Sequence, residues 1–92
     1  MYIILPYTKA KAKKLNVILK PSVRKNKKID VFDKKGSYKV SIGASGALDY
    51  PNYVKYYGKE YADERRKLYK LRHQKDRLIK GTAGYYADQL LW

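Results

Sequence analysis

Lys28-Ile29-Asp30-Val31-Phe32-Asp33-Lys34-Lys35-Gly36-Ser37-Tyr38-Lys39-Val40-Ser41-Ile42-Gly43 reads as a β-hairpin. Tyr38, Val40 and Ile42 alternate with Lys39 and Ser41, the period-two pattern of a strand with one buried and one wet face. In the strand before it, Ile29 and Val31 share a face and Phe32 takes the other. Lys34-Lys35-Gly36 supplies the turn, and Gly36 is the residue able to take a positive φ there without a steric cost.

Working toward the N-terminus, Ser22 to Lys28 is a basic loop, and Asn16-Val17-Ile18-Leu19-Lys20 is an apolar, β-branched run stopped by Pro21, hence a further strand. Thr8 is placed to cap a helical stretch through Leu15, built from the good helix formers Ala and Lys. Met1 to Leu5 reads as a short strand ended by Pro6. Toward the C-terminus, Gly43-Ala44-Ser45-Gly46-Ala47 is a flexible connection into a tyrosine-rich stretch, Asp49 to Tyr61. A helix is expected from near Gly58 to Asp76. Its acids (Glu60, Asp63, Glu64) come early and its bases (Arg72, Lys75) late, which suits the helix dipole. Tyr61, Leu68, Leu71 and Lys75 form its expected inward stripe. Thr82 caps a last helix of about ten residues with Ala83, Ala87, Leu90 and Leu91 on one side. These elements make one small α+β domain over residues 1–92: an N-terminal antiparallel sheet of three or four strands, then two C-terminal helices packing on it. The alternative is an extended chain ordered by an assembly.

Eleven of the hydrophobic residues are Tyr, so the core is expected to be thin and the exterior aromatic. The absence of Cys excludes a disulfide framework and a thiolate zinc site. No run approaches the roughly 20 apolar residues of a membrane span, and the opening apolar run is short and followed by its charges, unlike a signal peptide. A soluble protein made in the cytosol is therefore expected.

Charge is the dominant feature. The 22 basic and 8 acidic residues leave +14, and residues 1–35 hold 11 of the bases with only 2 of the acids. Such a field attracts polyanions. Lys outnumbers Arg 17 to 5, which favours phosphate contact over reading of base edges. Lys9, Lys11, Lys13, Lys14, Arg24, Lys25, Lys27 and Lys28 form one candidate phosphate-contacting surface, and Arg65, Arg66, Arg72 and Lys75 a second. Tyr53, Tyr56, Tyr57 and Tyr61 are candidates for sugar or base contact. A solvated lysine face over tyrosines that merely complete a thin core is the blander account of the same residues.

Catalysis finds little support. His73 is the lone histidine and has no Cys, second His or carboxylate at ligand spacing, so a surface or capping role is expected. Asp63, Glu64 and Asp76 could suggest a metal-dependent nuclease, but adjacent helical residues point about 100° apart, and pairing of Asp63 with Lys67 is simpler. Gly43-Ala44-Ser45-Gly46 lacks the Gly-Lys-Ser/Thr ending of a phosphate-binding loop. No enzyme activity, cofactor, metal or small-molecule substrate is expected.

Residue order is informative in Glu64-Arg65-Arg66-Lys67-Leu68-Tyr69-Lys70-Leu71-Arg72-His73 and in Thr82-Ala83-Gly84-Tyr85-Tyr86-Ala87-Asp88-Gln89-Leu90-Leu91-Trp92. Together they resemble an uncharacterised family of small basic proteins of nucleocytoplasmic large DNA viruses, with a basic E-R-(R/K)-x-x-Y-x-x-R-H helix and a terminal T-A-G-aromatic-aromatic-x-x-x-L-L-W element. The likeness runs from about Ser37 to Trp92, with Tyr38 to Gly43 and Asp49-Tyr50 as weaker landmarks. Tyr85-Tyr86-Ala87-Asp88 departs from the Phe-Trp-Ser-Arg of the relatives. The resemblance implies a viral origin and no particular chemistry.

The expectation is a non-enzymatic, sequence-independent nucleic-acid-binding protein of such a virus, serving genome packaging or the replication compartment. The alternative is a minor capsid or cement protein bound to acidic coat-protein surfaces. Either places it in the virion, or in host cytoplasm or nucleus during infection. Leu90, Leu91 and Trp92 form an apolar anchor whose burial, within the fold or in a partner, is expected.

Overall fold

The fold, taken from a computed structural model that describes residues 2–92, is α+β, with a three-stranded antiparallel sheet early in the chain and four α-helices. Two compact units divide it, Met1–Ala47 and Leu48–Trp92, and the division falls at the end of the Gly-Ala-Ser-Gly-Ala connection.

In the first unit, α1 (Pro6–Leu15) precedes β1 (Ile18–Pro21), β2 (Lys27–Phe32) and β3 (Tyr38–Ala44), ordered β1-β2-β3. Thr8 does not cap α1. The helix starts two residues earlier, at Pro6, whose fixed φ suits a first turn, and Thr8 is buried in its body. Residues 2–5 form no strand, and Met1 lies outside the described residues. Asn16, in the left-handed conformation at φ 58°, ends the helix and turns the chain into β1.

The hairpin pairs Ile29 with Ile42 and Val31 with Val40, which buries Ile29, Val31 and Ile42. Its turn is fastened by Asp33, whose Oδ1 accepts from the amides of Lys35 and Ser37, both at 2.9 Å. Gly36 adopts φ +87°. One detail departs from strict alternation. The register passes from Val31↔Val40 to Phe32↔Tyr38, so Lys39 is an extra residue in a β-bulge. Tyr38 is thereby re-aimed to the side of Ser41, with its hydroxyl 2.8 Å from Ser41 Oγ, and Ser41 is buried where a wet face was expected.

The second unit is helical: α2 (Tyr50–Tyr57), α3 (Lys59–Arg72), a 3₁₀ turn (Asp76–Leu78) and α4 (Ala83–Leu91). α2 is absent from the sequence reading, although Asp49-Tyr50-Pro51 carries a start signal. Asp49 Oδ1 accepts from the Asn52 amide at 3.2 Å, and Pro51 occupies the first turn, where a missing N–H costs nothing. Gly58, at φ 91°, separates α2 from α3. Thr82 caps α4 by accepting from the Tyr85 amide at 3.2 Å. α3 ends at Arg72, four residues short of the expected Asp76.

The inward face of α3 is also not the expected one. Ala62 and Tyr69 are buried, whereas Tyr61, Leu68 and Leu71 are exposed, roughly 120° round the helix. Tyr69 is turned inward by a ring partner, Trp92, which it meets at a centroid distance of 4.3 Å and 7° between planes. Both rings are buried there, and aromatic side chains carry large apolar surfaces. Leu90, Leu91 and Trp92 are buried within the described chain at 0%, 1% and 8% exposure.

Candidate nucleic-acid interface

The cations of the first unit start from an uncompensated charge, since residues 1–47 hold 12 Lys and Arg against Asp30 and Asp33 alone. Both carboxylates serve the fold. Asp33 fastens the hairpin turn, and the buried Asp30 accepts from Ser22 Oγ and Ser41 Oγ, each at 2.6 Å, and from the Val23 amide at 3.4 Å. Burial works against ionisation of Asp30, but the Ser22, Ser41 and Val23 hydrogen bonds and the nearby Arg24 charge outweigh it and hold its pKa below the ordinary 3.8.

Of the eight basic residues expected to form the first surface, Lys9, Lys13 and Lys14 are exposed on α1, and Arg24, Lys25 and Lys27 are exposed around the β1–β2 connection. Lys9 and Lys13, one turn apart, flank an open groove of about 350 Å³ floored by Ile4, Ala12, Val17 and Leu19. Arg24 lays its guanidinium 4.7 Å from the Tyr38 ring centre, which orders the side chain while leaving it open to solvent. Two residues do not belong with these six. Lys11 is half-buried, with its Nζ 4.7 Å from the Tyr7 ring. Lys28 is buried, with its Nζ 5.5 Å from the Tyr2 ring, because position 28 lies on the covered side of β2 with Asp30.

In the second unit, Arg66 is a structural cation rather than a free one. It packs 3.9 Å from the Tyr50 ring centre and donates to Asp63 Oδ1 at 3.5 Å and to the main-chain oxygen of Trp92 at 3.4 Å. Arg65 lies 5.6 Å from the Tyr53 ring centre, while Arg72 and Lys75 are exposed. Asp63 pairs with Lys59 at 2.8 Å rather than with Lys67, and also accepts from the Tyr50 hydroxyl at 2.7 Å. The Lys59 hydrogen bond, followed by that from Tyr50, lowers the pKa of Asp63; the same Asp63 bond, followed by burial, raises that of Tyr50.

Three of the four aromatic candidates, Tyr53, Tyr57 and Tyr61, assemble into a row. Tyr57 and Tyr61 stand 5.1 Å apart, Tyr61 and Tyr53 5.8 Å, and Tyr53 and Trp92 6.0 Å. Trp92 then stacks on Tyr69, and Tyr69 on His73 at 4.4 Å. The row is open to solvent at Tyr57 and Tyr61 and closed in the middle. Burial, then the negative charges of Asp88 and Asp76, push the Tyr69 hydroxyl up to about 12. Tyr56 is exposed outside the row, beside Lys55.

His73 caps α3, its ring stacked on Tyr69 and its Nδ1 3.7 Å from Asp76 Oδ2. Among the described residues no group of three His, Cys, Asp or Glu side chains is gathered as a metal site, and no helix is long and apolar enough to cross a membrane. The Gly43–Ala47 loop is tied back by the Ser45 amide to the Asn26 carbonyl at 3.0 Å. Sequence reasoning did not find the Asp30 network or the ion pair of Lys70 with the buried Asp88, at 2.8 Å. Neither carries a local signal, because their partners lie 7 to 18 residues apart. No protein-family model, curated protein or solved structure matches this chain.

Proposed function

We propose that this is a non-enzymatic protein that binds nucleic acid through its phosphate backbone, without sequence preference. The observation that carries the reading is the charge of residues 1–47: 12 bases against 2 acids, both acids engaged inside the unit, with Lys9, Lys13, Lys14, Arg24, Lys25 and Lys27 left exposed. A polyanion neutralises these charges and releases its own counterions, which drives association without base contact. Tyr57 and Tyr61, at the open end of the aromatic row, add a surface on which sugars or bases rest. The likeness of the helix ending in Arg72-His73 and of the Thr82–Trp92 element to proteins of large DNA viruses supports a place in genome packaging or the replication compartment.

The test is anisotropy of two unrelated labelled duplexes across a salt series. Six phosphate contacts give a log-log slope of about −5, and replacing Lys9, Lys13 and Lys14 with Gln brings it to about −3 for both duplexes. A slope near zero, or binding to only one of the duplexes, overturns the proposal.

A further inference from the structure

The residues of α3 whose spacing marks an apolar stripe are the ones the fold leaves outside. Leu68 is 40% and Leu71 63% exposed, and beyond the helix Leu78 is 65% and Ile79 58% exposed. Leu71 and Leu78 share one open groove of about 610 Å³, lined also by Arg72, Gln74, Lys75 and Asp76. The far wall is held in place. Arg77 donates through its amide to the His73 carbonyl at 2.9 Å and through Nε to the Lys70 carbonyl at 3.3 Å, and Thr82 Oγ1 donates to the Ile79 carbonyl at 2.7 Å. Aliphatic side chains displayed together on a fastened turn mark an interaction surface, because their exposure forgoes burial free energy in the free protein.

Charge selects the occupant. Arg72 and Lys75 flank the groove and outnumber its one carboxylate, Asp76, which is exposed as they are and lies 3.7 Å from His73 Nδ1. A second copy of the chain would bring the same cations to the contact and add its own +14, so self-association is opposed. A nucleic acid would use the cations and leave the leucines wet. We infer that the Leu71–Leu78 groove docks an acidic amphipathic helix of another protein, its apolar side chains on Leu68, Leu71, Leu78 and Ile79 and its carboxylates on Arg72 and Lys75. This inference does not rest on the nucleic-acid reading.

Three synthetic helical peptides test it. The probe carries Leu at i, i+3, i+4 and i+7 with Glu elsewhere; one control replaces Leu by Ser at equal charge, and the other replaces Glu by Lys with the same apolar face. The full-length protein should bind the Glu/Leu probe, with methyl shifts at Leu71, Leu78 and Ile79, and bind each control about tenfold or more weakly. Leu71→Ser with Leu78→Ser should weaken the probe by a similar factor, while Trp92 fluorescence and duplex affinity stay as in the parent. Equal binding of the Ser control means charge alone acts, and equal binding of the Lys control means charge plays no part; either overturns the inference. It is also overturned by shifts confined to other residues, or by a parent dimer that the double substitution dissociates. A flat salt slope for duplex binding would remove the proposed function and leave this result standing.

Discussion

Trp92 and Asp30 are the residues on which most depends locally. Trp92 joins the aromatic row of the second unit by stacking on Tyr69 and receives Arg66 on its main-chain oxygen. Trp92→Ala should cost about 3–5 kcal/mol in chemical denaturation followed by circular dichroism, as a buried aromatic ring is replaced by a cavity. The conservative Trp92→Phe should recover part of that. Asp30 has a folded-state pKa below that of the unfolded chain, so its contribution to stability is present in full above 3.8 and is lost as pH falls through the lower, folded value. Unfolding free energy measured from pH 6 downward should therefore drop more for the parent than for Asp30→Asn. At pH 6 the Asn variant should be less stable by about 1–3 kcal/mol, the scale of hydrogen bonds to a charged group. Equal acid sensitivity of the two proteins would mean that folding does not lower the pKa of Asp30.

Between elements, the tightest constraint is at Gly84, the third residue of the Thr82-Ala83-Gly84 run. Helix propensity alone makes Gly84→Ala stabilising by up to about 1 kcal/mol. Here a Cβ would stand 2.9 Å from Asp76 Cβ and 3.1 Å from the Asp76 carbonyl oxygen, so α4 and the 3₁₀ turn would have to separate. The substitution should thus lower the thermal midpoint, by an amount set by about 1–3 kcal/mol of overpacking. A midpoint raised by Ala would show that the turn yields freely. The element that escaped detection, α2, did so because five tyrosines in residues 50–61 give no clear period, and its start rests on a single Asp and Pro. The hairpin was legible because alternation and a Gly turn agree, except at Lys39, where a bulge changes which side Tyr38 faces.

At the scale of the whole molecule, +14 on 92 residues is a self-repulsive charge. Screening should stabilise the fold: raising sodium chloride from about 0.01 M to 0.15 M shortens the Debye length from about 30 Å to about 8 Å, and the thermal midpoint should rise. A midpoint unchanged or lowered by salt would mean that attractive pairs such as Lys70–Asp88 dominate over the excess. The charge asymmetry was visible from composition. Which cations are free was not, because exposure depends on neighbours remote in sequence: Lys28 is covered, and Arg66 is engaged by Tyr50, Asp63 and Trp92.

Local order of residues was enough for the α+β class, the hairpin with its Gly36 turn and the Thr82 cap, since each depends on contacts within a few residues. Tertiary packing alone decided which side of α3 faces inward. A hydrophobic period states that a helix has an apolar stripe, but burial goes to whichever face finds the larger complementary surface. On α3 that face belongs to Ala62 and Tyr69, with Trp92 brought from 23 residues away to stack on the ring. The leucines that carry the period were thereby left at the surface.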